Sequence, residues 1–210
     1  TTPKFFWDAS AESLGIGTSS PSTSKLHLQG STGVASAVRV ESTGVDSDAY
    51  YIADNDASVW TWGIDGGLSD AWVLSNAFGL GTPKMTVTTG GNVGIGVVPN
   101  AWLSTFRALQ LGQGSSLWGA ATGNNAGFDS NVYVNTSGGS VYVGSASATR
   151  YQQSSGNHRW FIAPSGTAGA GISFVQAMTL DYTGNLLLGK TAVNTNVVGV
   201  EFKPSGQVLS

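Results

Sequence analysis

Two pairs of carboxylates stand at alternate positions in the chain, Asp46/Asp48 and Asp54/Asp56. Paired carboxylates serve glycoside hydrolysis or hold a hard cation. Asp54-Asn55-Asp56 has the spacing of an acidic turn but lacks the full loop of a calcium site, and turn capping accounts for it. The two histidines, His27 and His158, have no acid–base partner close by in sequence, and no serine is marked as a nucleophile. Cysteine is absent, which removes disulfides, thiolate catalysis and cysteine-ligated zinc. No catalytic residue, metal or cofactor is therefore expected. Aromatic side chains are the richer resource. Trp60 and Trp62 share one face of a strand, with Trp72, Tyr50 and Tyr51 close in sequence, and Trp118 and Trp160 follow. Aromatic rings stack on the apolar faces of sugars, and they also fill cores. These seven residues are the glycan-binding candidates, weighed against a packing role. Trp60 matches Trp160 at an offset of 100, which favours packing.

The elements that hold such residues follow from composition. Of 210 residues, 30 are glycine, and only 10% are charged against 40% hydrophobic. Long charged helices and charge-driven disorder are excluded. Glycine does not recur at every third position, so collagen is excluded too. Short apolar segments among Gly, Ser and Thr predict an all-β chain. The net charge of −3, with nine scattered basic residues, argues against nucleic-acid binding. No apolar run has the length of a bilayer span, so membrane insertion is not expected. The chain opens Thr1-Thr2-Pro3-Lys4 without an initiator Met, as expected of a fragment or processed product.

Internal repeats organise the chain. Met85 to Gly96 aligns without a gap on Met178 to Gly189, at an offset of 93. Leu14-Gly15-Ile16-Gly17, preceded by Phe5-Phe6-Trp7-Asp8, is a third copy, and Pro21 and Pro99 follow two of the three. Each copy predicts a hairpin with one apolar face, its turn at Gly90-Gly91-Asn92 or the equivalent. Gly94 and Gly96 predict close backbone approach, to a symmetry mate or at a bulge. The run G-N-V-G-I-G lacks the spacing and the following helix of a dinucleotide fingerprint. The next segment also recurs, Lys25 to Gly30 matching Ala108 to Gln113. A second stretch repeats at an offset of 100, setting Tyr51, Trp60, Trp62, Gly66 and Trp72 against Tyr151, Trp160, Ile162, Gly166 and Ile172. The change of offset implies an insertion near 115–145, with extra strands at Asn131–Asn135 and Ser140–Gly144. The expected units are the end of an upstream repeat (1–18), a full β unit (19–97), a second unit carrying the insertion (98–190) and a terminal strand pair (191–210). Strands are also expected at Ala37–Glu41 and Ile172–Val175, and Asn100–Leu111 reads as a short helix giving way to a strand.

The pattern M-T-V-x-x-x-G-N-V-G-I-G followed by proline, with the variant F-F-W-D-A-S-A-E-S-L-G-I-G-T-S-S-P, resembles the stem repeats of bacteriophage tail fibres and tail-spike-like receptor-binding proteins. The resemblance implies a homotrimer of interwoven β-structure, built of β-prism or β-sandwich-like modules along a common axis. It implies a place in the virion tail, outside the host cell, where the fibre contacts other tail components and a surface polysaccharide or protein receptor. Many such fibres end in a self-cleaving chaperone that is cut off after a serine. The final Gly206-Gln207-Val208-Leu209-Ser210 fits that boundary, and Ser210 is then either such a processing point or, equally, an end set by expression. No chaperone sequence is present. Physics supports association independently: hairpins with short apolar faces bury little alone and leave bare edges. Association is expected from physics, and the number three from the resemblance. Two alternatives stay open: a polysaccharide-degrading tail spike, which would need carboxylates such as Asp54, Asp56 or Asp129, and a bacterial surface adhesin with phage-like repeats.

Overall fold

The computed structural model describes residues 5–10, 12–21, 25–30, 36–193 and 196–209. The fold is all-β, in two compact units, Thr1–Glu41 and Ser42–Ser210. Ser210 lies outside the described residues.

The first unit holds β1 (Phe5–Asp8), β2 (Ser13–Ile16) and β3 (Leu26–Leu28). β1 and β2 form the expected hairpin, with Phe5 opposite Ile16. β3 then pairs parallel to β2, setting Leu26 beside Leu14 and His27 beside Gly15.

The second unit is built on one 14-stranded sheet. Its strands are β4 (Ala49–Asp54), β5 (Val59–Asp65), β6 (Ala71–Ser75), β7 (Pro83–Val87), β8 (Val93–Ile95), β9 (Phe106–Leu111), β10 (Ser115–Ala120) and β11 (Asn125–Ser130). β12 (Val132–Val134) and β13 (Ser140–Tyr142) leave the sheet as a separate two-stranded ribbon, which is the hairpin expected inside 115–145. β14 (Ala148–Ser154), β15 (Asn157–Ala163), β16 (Val175–Leu180), β17 (Leu186–Leu188), β18 (Val200–Phe202) and β19 (Val208–Leu209) complete it. Neighbours in the sheet are neighbours in sequence, except where β11 meets β14 across the ribbon. Fourteen strands at about 4.8 Å spacing span roughly 60 Å along the hydrogen-bonding direction.

The repeated hairpin recurs as expected. Met85, Thr86 and Val87 face Ile95, Gly94 and Val93, as Met178, Thr179 and Leu180 face Leu188, Leu187 and Leu186. Both turns close identically: Thr88 N donates to Asn92 O and Asp181 N to Asn185 O, with Gly91 and Gly184 at positive φ. The same turn closes β18 on β19, where Lys203 N donates to Gln207 O. A left-handed glycine follows the second strand in all three sequence copies, Gly17, Gly96 and Gly189. β9 lies parallel to β8 with Leu109 beside Val93, so β7-β8-β9 repeats the β1-β2-β3 arrangement. Close approach holds for Gly94 and is internal, since a Cβ there would stand 2.1 Å from Val97 O; nothing lies within 4 Å of a Cβ at Gly96, whose positive φ is what suits glycine.

Three expectations are corrected. First, the match at an offset of 100 is not structural. Trp62 pairs through Leu74 to Met85, while Tyr151 pairs through Trp160 to Met178, so Trp62 corresponds to Tyr151 and Leu74 to Trp160. Alternating aromatics match at any even offset, and only the glycine-marked hairpin fixes register. Second, Ala37–Glu41 joins no sheet and is exposed, and of Ile172–Val175 only Val175 enters a strand. Third, no helix precedes β9; Asn100 instead binds Gln110 through both backbone and side chain.

Connections between strands fold over one face of the large sheet and bury it in three small clusters. Ala71, Val73 and Leu80 form one, Trp102, Ala108, Trp118 and Val134 the second, and Val132, Tyr142, Ala148 and Ala163 the third.

Candidate functional site

Cross-strand pairs put directly opposed residues on the same side of a sheet. Following them across the second unit gives one unbroken row: Ile64, Trp72, Val87, Val93, Leu109, Leu117, Phe128, Tyr151, Trp160, Met178, Leu188 and Val200. A second row beside it carries Tyr51, Trp62, Leu74, Met85, Ile95 and Leu111. None of these residues bears a charge at neutral pH, and none is buried. Phe128 is 49% exposed and Leu117 55%. Beside them, Gly119 and Ala126 leave a shallow hollow of about 460 Å³, mostly apolar, with Arg107 in its wall.

The alternate residues face the covered side, which mixes polar and apolar groups. Thr61, Ser75, Thr86, Gln110, Ser116, Asp129, Thr179 and Glu201 are all buried there, among Ala71, Val73, Ala108, Trp118 and Leu187. An isolated chain thus leaves its largest apolar surface facing water, with hydroxyls, amides and carboxylates set among small apolar clusters within. Contiguous exposed apolar surface of this size marks an interaction site on a protein surface. Eighteen half-covered side chains leave on the order of 1,000 Å², against roughly 800 Å² per partner in a specific interface. The first unit repeats the pattern, with Phe5, Trp7, Ile16 and Leu26 exposed along one side.

Several of the buried polar groups are matched to one another, whereas Thr86 Oγ1 has no hydrogen-bond partner among the described residues. Arg150 grips Asp129 with two bonds, Nε to Oδ1 at 2.8 Å and Nη2 to Oδ2 at 2.7 Å, and donates to Ser140 Oγ. Its guanidinium lies 5.2 Å from the Trp118 ring and 5.1 Å from that of Phe174. Burial pushes the Asp129 carboxyl above its ordinary value; Arg150 and, weakly, the Trp118 indole oppose that rise without cancelling it. Glu201 is held by Lys190 at 3.2 Å and Lys203 at 3.6 Å. At the exposed turn of the second hairpin, burial pushes Asp181 up. Donors from the side chains and backbones of Asn185 and Thr183 outweigh it and hold the carboxyl low.

The seven aromatic candidates do not gather in one place. Tyr51 and Trp62 stack at 6.0 Å on the apolar face, and Tyr151 and Trp160 meet there at 5.1 Å. Trp72 lies between Ile64 and Val87 on the same face. Trp60, opposite Ala53, stands at the tip of the β4–β5 hairpin beside Asp54, Asn55 and Ser58. Tyr50 turns to the covered side and packs on the Ala71–Val73–Leu80 cluster. Trp118 is a core residue, 3% exposed and packed on Phe106, and it fills the space that a side chain at Gly127 would need. Sequence parity separates these roles: Trp118 is one position out of phase with outward Leu117.

The carboxylates are structural where their partners are visible. Asp48 Oδ1 accepts from Gly66 N, and Asn55, rather than Asp54 or Asp56, caps its turn by accepting from Ala57 N and Ser58 N. Among the described residues no cluster of three or more His, Asp or Glu is placed to hold a metal, and no helix is long and apolar enough to cross a membrane. His158 Nδ1 and Tyr151 Oη share a hydrogen bond at the margin of the apolar face. Trp102, which the repeats do not mark, is buried with its indole N–H unmatched. No protein-family model and no curated protein matches the sequence.

Proposed function

We propose that the chain is a segment of a bacteriophage tail fibre, a homotrimeric structural stem that holds or forms the contact with a host-surface receptor. The observation that carries this reading is the apolar face of the long sheet, whose two rows carry no charge. Such a face is costly in water. A copy of the same chain covers these rows with rows of the same kind, and closed symmetric association leaves no apolar surface over. Arg107, two positions from Leu109 on the same face, donates to the carbonyls of Ser104 and Phe106 beside the rows. Three is the number that the resemblance of the hairpin repeats implies. A rod of three identical chains presents each receptor contact three times, and multivalency raises avidity with no new chemistry. The reading assigns no catalysis; Asp129, named above for the spike alternative, is tied to Arg150 in the core. Light scattering tests the assembly, with a trimer mass expected. Labelled protein incubated with bacterial strains, before and after periodate oxidation of their surface glycans, tests the contact. A folded chain that stays monomeric at micromolar concentration would sink the proposal.

A further inference from the structure

On the covered side of the large sheet, away from the apolar face, lies a cavity of about 360 Å³. This volume is in the range of small-ligand sites. The strand that ends in the 88–92 turn, the segment 98–102 and the 3-10 turn Gly66–Leu68 converge on it. Three features set it apart from a packing defect. Its lining is mixed, with Ser69, Thr89, Asn92 and Asn100 beside Leu68 and Trp102, and no lining residue is ionisable. Trp102 is 5% exposed and its buried indole N–H has no acceptor among the described residues. The rim is strained: Ser69 and Asp70 are consecutive non-glycine residues at φ 56° and 60°. Strain of this kind concentrates at functional sites.

The polar groups are also fixed in advance. Asn92 Oδ1 accepts from Ala108 N at 3.0 Å, and Asn100 Oδ1 accepts from Gln110 Nε2 at 2.8 Å. Each amide is therefore held by its oxygen, which leaves its nitrogen as the remaining donor. Locked amide donors, hydroxyls and an aromatic ring, without charge, suit a neutral polyhydroxylated ligand. An anion would lack a cation to pair with, and a lipid chain would strand the hydroxyls and amides.

We infer that this cavity is a binding site for an uncharged saccharide, formed by Ser69, Thr89, Asn92, Asn100 and Trp102. The inference rests on the fibre reading and deepens it: the glycan contact lies on the covered side, which stays open when the apolar faces close on each other. Trp62, Trp72 and Trp160 then belong to assembly, and Trp102 to recognition.

The test is a ¹⁵N-resolved titration of the assembled protein with neutral hexoses, 6-deoxyhexoses and N-acetylhexosamines at millimolar concentrations, with a uronic acid alongside. The expected result is movement of the Trp102 indole and of the Asn92 and Asn100 side-chain amides with a neutral sugar, while the indoles of Trp62, Trp72 and Trp160 stay still. Thr89→Trp, at an exposed turn position, should fill the cavity and abolish the response with the trimer intact; Trp102→Phe should weaken it. No movement with any neutral sugar overturns the inference, as does a response to the uronic acid alone or one that survives Thr89→Trp. Light scattering on the same samples separates the two readings, since a trimer that ignores sugar refutes only the site.

Discussion

Replacing Phe128 by Asp is the sharpest perturbation of the apolar face. Phe128 is 49% exposed in the single chain, opposite Leu117 on β10 and Tyr151 on β14. A phenylalanine side chain buries roughly 200 Å², so about 100 Å² per copy remains to be covered by a partner. At about 25 cal/mol per Å² that contributes roughly 2.5 kcal/mol per copy, or about 7 kcal/mol over three copies. Phe128→Ala should therefore lower the association constant of the proposed trimer by roughly five powers of ten, at about 1.4 kcal/mol for each. Phe128→Asp should prevent assembly altogether, because each copy would add a desolvated carboxylate with no cation opposite. Val73→Ala is the contrasting control. Val73 is fully buried on the other side of the sheet, so its truncation should cost about 2 kcal/mol of folding and leave the association of folded chains alone. Sedimentation velocity across a concentration series reads the association, and chemical denaturation of the monomeric fraction reads the fold. Wild-type-like assembly of Phe128→Asp, or equal loss of assembly in Val73→Ala, would refute the claim that the exposed face, and not the fold itself, drives association.

Other outcomes follow from the covered side. Arg150→Ala strands the buried Asp129 carboxylate and opens the stack on Trp118 and Phe174, so denaturation should show a loss of about 3–5 kcal/mol. Gly127→Ala would place a Cβ 2.5 Å from the Trp118 ring, and a drop of roughly 1–3 kcal/mol is expected, with a changed near-ultraviolet tryptophan signal. Asp181 has a lowered carboxyl in the fold, so its contribution is complete above the ordinary value of 3.8 and is lost as pH falls through the depressed folded value. Asp181→Asn should accordingly reduce the acid dependence of stability below pH 3.8 and leave that between pH 5 and 7 unchanged, as followed by thermal unfolding across pH.

How much of this was legible in sequence depends on which residues mark register. Met85–Gly96 and Met178–Gly189 were readable to the residue because Gly91 and Gly184 must take positive φ, which pins the turn and hence every pair. The match of Leu26 to Leu109 was readable too, since each follows its hairpin at a parallel crossover. The aromatic strands carried no such mark, and their alignment slid. Ala37–Glu41 alternates as well as any strand in the chain, yet alternation alone does not place a segment in a sheet. The cavity beside Trp102 was illegible, because its walls come from three separate turns and only Thr88, Thr89 and Asn92 lie in the repeat.

The polar interior explains why sequence pattern could announce strands and still leave the interface unread. Alternation states that a sheet has two unlike faces; it does not say which one the chain's own loops will cover. Here the loops are rich in Gly, Ser, Thr and Asn. They lie over a face that sets Thr, Ser, Gln and Asp among Ala, Val and Trp, and they take up hydrogen bonds from several of its polar groups: Thr61 Oγ1 donates to Gly79 O, Ser75 Oγ to Thr82 O and Ser116 Oγ to Val132 O. Had those loops folded over the opposite face, their backbone donors and acceptors would have met Leu, Phe and Val and gone unmatched, at roughly 1–3 kcal/mol for each buried group. Polar connections therefore select the polar face, and the apolar face is left for a surface with no unsatisfied backbone of its own. The apolar face of another copy's sheet is such a surface, because its backbone is already paired within its own ladders. On this argument the association proposed here follows from hydrogen-bond accounting as much as from hydrophobicity, and it extends to the first unit, where Phe5, Trp7, Ile16 and Leu26 are exposed on one side of their sheet while Ser13 and Gly15 are covered on the other.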